Sequence, residues 1–111
     1  MEEEITYGEF KKYMQSLIEA QLRELYLLTE DYRRHNAVDD ITAEIDERLY
    51  AKIESLTLSI EHNRQLLREG EIHKDDALFF LKDGVPTYQV VGKELKQRHE
   101  RRMKISELSY A

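Results

Sequence analysis

Apolar residues recur at steps of three and four from Phe10 through Met14, Leu17, Leu25 and Leu28 to Tyr32, with Gln21 filling the one polar step. That spacing marks one face of a helix. Gly8 is the only glycine or proline between residues 6 and 36, so a helix over 6–36 is predicted. Tyr13 and Ala20 flank the face on one side, Ile18 and Leu22 on the other. The apolar arc is then about 200° wide, roughly twice the stripe of a helix packed on one side, and this helix is expected to have more than one neighbour. Glu2, Glu3, Glu4 and Glu9 near its start, and Arg33, Arg34 and His35 at its end, suit the sign of the helix dipole.

A second stripe runs through Ile41, Ile45, Leu49, Ile53, Leu56, Ile60 and Leu67, with Asn63 in its polar step. Asp39 or Asp40 can cap its start and Gly70 can take the left-handed position after its end, which predicts a helix over 40–69. Each helix is about 45 Å long at ~1.5 Å per residue. The link from His35 to Asp39 is short, so the two are expected to pack antiparallel as a hairpin. Gln21 and Asn63 resemble the polar positions within apolar seams that fix register and oligomer state.

After Gly70 the period changes. Residues 77–82 and 85–91 are two β-prone runs around Asp83-Gly84, a dipeptide suited to a two-residue type I′ turn, so a β-hairpin is predicted over 77–91. If Lys82 pairs with Val85, then Leu81 faces Pro86, Phe79 faces Tyr88 and Ala77 faces Val90. One wholly apolar face results, opposite a mixed one of Leu78, Phe80, Thr87 and Gln89. The rival reading is a short helix capped by Asp75 or Asp76 and ending at Gly84. Pro86 suits the edge of a sheet.

Residues 93–109 lack Gly and Pro but offer only Leu95, Met103, Ile105 and Leu108 as apolar contacts, which predicts a helix packed through a narrow edge. The fold class is therefore mainly α: a long antiparallel helical hairpin, a short β-hairpin and a C-terminal helix.

Charge sharpens this picture. Six cations, Lys93, Lys96, Arg98, Arg101, Arg102 and Lys104, stand against Glu94, Glu100 and Glu107 in residues 93–111, a balance of +3; with a total of −6 over 111 residues, the first 92 carry −9. The length suits one domain. No apolar run approaches the ~20 residues of a membrane span, and the acidic start is unlike a signal peptide, so a cytoplasmic protein is expected. The chain has no cysteine, hence no disulfide, thiolate nucleophile or thiolate metal site.

Catalytic chemistry finds little support. His62, His73 and His99 are far apart, Glu61-His62 is adjacent rather than one turn apart, and Asp39-Asp40 and Asp75-Asp76 read as caps or turn residues. No enzyme activity, metal or cofactor is expected. Off-stripe Tyr26, Leu27, Tyr50 and Leu58 leave apolar area that the last third of the chain is too small to cover, so a homodimer with coiled-coil-like packing is expected. The alternative is a compact monomer whose ribbon and last helix fold back over the hairpin. The functional expectation is a non-enzymatic interaction or regulatory module that meets another protein through Phe79, Phe80 and Tyr88 on the ribbon and Arg98, Arg101 and Arg102 on the last helix. The alternative is nucleic-acid binding through the same basic helix.

Overall fold

The computed structural model describes residues 1–36 and 43–109, with side chains over 1–34 and 47–105. Six elements follow in order: β1 (Glu2–Ile5), α1 (Tyr7–Asn36), α2 (Ala43–Ile72), β2 (Ala77–Lys82), β3 (Val85–Val90) and α3 (Lys93–Ser109). The proposed cap at Asp39 or Asp40 lies outside the described residues. Two compact units form, one from Met1–Tyr13 with Leu66–Ala111 and the other from Met14–Gln65.

In the first unit the strands make an antiparallel sheet in the order β1-β2-β3. The β2–β3 register is the expected one, with Lys82 opposite Val85, Leu81 opposite Pro86, Phe79 opposite Tyr88 and Ala77 opposite Val90. Asp83 and Gly84 have φ of 52° and 79°, the paired positive values of a type I′ turn, whose twist matches that of the flanking strands. The short-helix alternative is thereby excluded.

β1 is a correction, because Glu2 to Glu4 belong to a strand and not to the approach of α1. Glu3 lies opposite Leu81 and Ile5 opposite Phe79. Three consecutive glutamates have poor β-propensity, but an edge strand tolerates charge, and the buried Ile5 anchors the strand on the apolar face. The turn into α1 is a capping box: Thr6 Oγ1 accepts from the Glu9 amide at 3.1 Å, while the Thr6 amide donates to Glu9 Oε1 at 3.1 Å.

Gly70 is the second correction. α2 continues through it to Ile72, and the glycine is buried with the Phe10 ring lying against its Cα. Its lack of a side chain serves close approach rather than helix termination. Among the described residues Ile5, Phe10, Ala77, Phe79 and Pro86 are buried here, and Phe10 is 4.8 Å from Phe79 between ring centroids.

In the second unit α1 and α2 run antiparallel: Gln21 meets Ser59 and Asn63, and Tyr32 meets Tyr50 with ring centroids 6.3 Å apart. Met14, Ile18 and Ile60 are buried, whereas Leu17, placed on the predicted stripe, is 37% exposed and Ile18 from the flank takes its place. Leu25, Leu28, Leu49, Ile53 and Leu56 are half-buried along the seam.

Candidate interaction surface

The ribbon residues singled out in the sequence divide into two groups. Phe79 is a correction: it is only 2% exposed, with Tyr7 5.4 Å and Tyr88 6.0 Å from it between ring centroids. Its register partner Ile5 on β1 closes the apolar face over it, so it is a core residue with no surface to offer. Tyr88 is half-buried, its ring stacked on His73 at 6.2 Å and its hydroxyl donating to Glu69 Oε2 at 2.8 Å. Burial first, then the hydrogen bond and charge of Glu69, push the Tyr88 phenol above its ordinary value. Tyr7 is raised likewise, by burial and then by the Glu71 charge. Phe80 lies on the opposite sheet face, half-buried and opposite Thr87.

The start of α3 is set by Gly92, whose φ of 91° turns the chain and whose carbonyl accepts from the Lys96 amide at 3.1 Å. Asp76 O accepts from the Val91 and Gly92 amides, both at 2.9 Å, which ties the end of β3 to the start of β2. α3 is then held by polar groups. Lys96 donates to the Lys74 carbonyl and stands 5.3 Å over the Phe79 ring, and His99 Nε2 lies 2.5 Å from Glu4 Oε1.

Among its described apolar residues, Leu95 is 57%, Met103 49% and Ile105 63% exposed. Arg101, Arg102 and Lys104 are exposed too, and Arg98 pairs with Glu94 at 2.8 Å. An open hollow of about 360 Å³ is lined by Lys74, Asp75, Lys93, Lys96, Gln97 and Glu100. Its mixed charges and open mouth differ from the enclosed, mostly apolar form of a small-molecule pocket.

His73 Nδ1 is 3.1 Å from Asp76 Oδ1 and shares the turn between α2 and β2 with it. Among the described residues no three His, Asp or Glu side chains converge as a metal site would require. On the helical hairpin Tyr26 is 66%, Leu27 63%, Tyr50 58% and Leu58 60% exposed. Among the described residues no helix is long and apolar enough to cross a membrane. No known family model, curated protein or solved structure matches the chain.

Proposed function

We propose that the chain is a non-catalytic protein-interaction module, a small cytoplasmic helical homodimer that presents a partner-binding surface on its C-terminal third. The observation that carries this reading is the thinness of the core beside the apolar area left open. The hairpin unit buries Met14, Ile18 and Ile60, while Tyr26, Leu27, Tyr50 and Leu58 are each more than half exposed. Two helices packed only on each other bury one stripe each, and a second copy supplies the missing neighbours as in a four-helix arrangement. The partner surface keeps Phe80, Arg98, Arg101 and Arg102, and leaves out Phe79 and the hydrogen-bonded Tyr88.

Sedimentation equilibrium over a range of concentrations tests the assembly. The mass of the wild-type assembly is expected to be halved by Leu27→Glu and by Leu58→Glu. A wild-type mass equal to one chain throughout overturns the dimer. Capture of a partner that survives both Phe80→Ala and Arg101→Glu overturns the surface.

A second reading is favoured by the exposed row Lys93, Arg98, Arg101, Arg102 and Lys104 on α3, which is nucleic-acid binding. It requires affinity that falls with salt at a log-log slope of about −0.9 per phosphate contact. A flat response removes it.

A further inference from the structure

The two edges of the sheet differ in a way that points to a partner for one of them. In a two-residue hairpin the residues flanking the turn form a hydrogen-bonded pair, here Lys82 and Val85. The alternation of the ladder then directs the backbone groups of Val85, Thr87 and Gln89 toward β2. Those of Pro86, Tyr88 and Val90 point outward. The bond from the Asp83 amide to the Met1 carbonyl at 3.1 Å is in phase with this, since it places the odd-numbered residues of β2 toward β1. On β1 the outward groups belong to Glu2 and Glu4, and three consecutive glutamates guard that edge by charge.

β3 reads Val-Pro-Thr-Tyr-Gln-Val and carries no charge, with Val85 61% and Val90 47% exposed. The described contacts of α3 run to the other two strands, to Phe79 on β2 and Glu4 on β1. Among the described residues Pro86 guards the β3 edge, removing one outward amide and leaving those of Tyr88 and Val90.

We infer that the outward edge of β3 pairs antiparallel with β3 of a second copy about a two-fold axis at Tyr88, joining two three-stranded sheets into one. The edge is self-complementary in that register. The Tyr88 amide of each copy donates to the Tyr88 carbonyl of the other, and each Val90 amide donates to the Pro86 carbonyl opposite. Pro86 needs no donor there, so its missing amide costs only one acceptor its bond on each side. Pairing with β1 of another copy lacks this symmetry and sets an uncharged strand beside the glutamates, a head-to-tail contact that propagates instead of closing. The β3 contact uses residues of the sheet unit, whereas the proposed dimer uses residues of the helical hairpin.

The chain has no cysteine, so engineered thiols report the register alone. Across the new interface Thr87 opposes Gln89 of the second copy as a non-hydrogen-bonded pair, with Cα atoms about 4.5 Å apart, within disulfide reach. A mixture of Thr87→Cys and Gln89→Cys chains is expected to form the mixed disulfide several-fold above either chain alone. Leu27→Glu in both chains leaves that yield unchanged, which separates this contact from the hairpin. Val90→Pro removes an outward amide without touching the β2 ladder. It is expected to cut the yield several-fold and, in the cysteine-free chain, to halve the mass in solution. Mixed disulfide no higher than in the single variants overturns the pairing, as does an unchanged yield in a Val90→Pro chain with native circular dichroism.

Discussion

The ring of Phe10 occupies the space a side chain on Gly70 would need: a Cβ there would lie 2.5 Å from Phe10 Cε1 and 3.2 Å from Cζ. Phe10 is fully buried and cannot swing aside. Two effects therefore oppose each other in Gly70→Ala. Alanine in a helix interior gains about 1 kcal/mol over glycine, while overpacking a tight contact costs about 1–3 kcal/mol. A net loss of about 1 kcal/mol is expected in urea unfolding. In a Phe10→Leu background, which lacks Cε1 and Cζ, the same substitution is expected to stabilise, and the reversal of sign is the test of the contact.

This pair also shows where the sequence could be read and where it could not. Both residues stand out in the sequence, Phe10 on the stripe of the first helix and Gly70 as a candidate terminator. A glycine near the end of a periodic run has two physical uses, positive φ and close approach, and only the position of the Phe10 ring decides between them. The hairpin at Asp83-Gly84 was legible to the residue because turn chemistry and strand period agree there. β1 was not, since its glutamates resist a strand locally and only pairing with β2 overrides that preference. Its signal lay one step away: Thr6-Tyr7-Gly8-Glu9 is a capping box, and the helix start it fixes leaves Ile5 outside the helix and free to join the sheet. The role of Phe79 was hidden for the same reason, because the strand that buries it was not foreseen.

The capping box itself is open to measurement. Thr6 satisfies the Glu9 amide and Glu9 returns a bond to the Thr6 amide. Thr6→Ala is expected to cost about 1 kcal/mol, and Thr6→Gly only a few tenths more or less than wild type. No loss in Thr6→Ala, read from the denaturant midpoint at constant slope, would mean that the hydroxyl does not act as a cap.

In the seam of the hairpin, Gln21 Nε2 donates to Ser59 Oγ and Asn63 Nδ2 donates to Gln21 Oε1, both at 2.9 Å. Gln21 and Asn63, the two polar steps of the two stripes, thus satisfy one another. Asn63→Leu alone strands Gln21 Oε1 in a half-buried site and is expected to cost about 1 kcal/mol. Gln21→Leu with Asn63→Leu removes both partners and is expected to recover that loss or exceed wild-type stability. The same double variant is expected to give a broader distribution of masses in sedimentation, because the polar pair no longer fixes the helix register. Additive losses in the double-mutant cycle would show that the two residues are not coupled.

Alkali is expected to act through Tyr88 and Tyr7. Both phenols are raised above the ordinary tyrosine value in the folded chain, by burial first and then by Glu69 for Tyr88 and Glu71 for Tyr7. The unfolded chain therefore gives up these protons at lower pH than the folded one. Stability from the two sites is fully present below the ordinary phenol value of about 10 and is lost as the pH rises through the raised values. Absorbance titration of the seven tyrosines should accordingly show a late fraction that ionises together with loss of helical circular dichroism. Tyr88→Phe keeps the ring against Phe10 and Phe79 but removes the group that ionises, so its unfolding in alkali is expected to move to higher pH. An unchanged alkaline midpoint in that variant would place the sensitivity elsewhere in the chain.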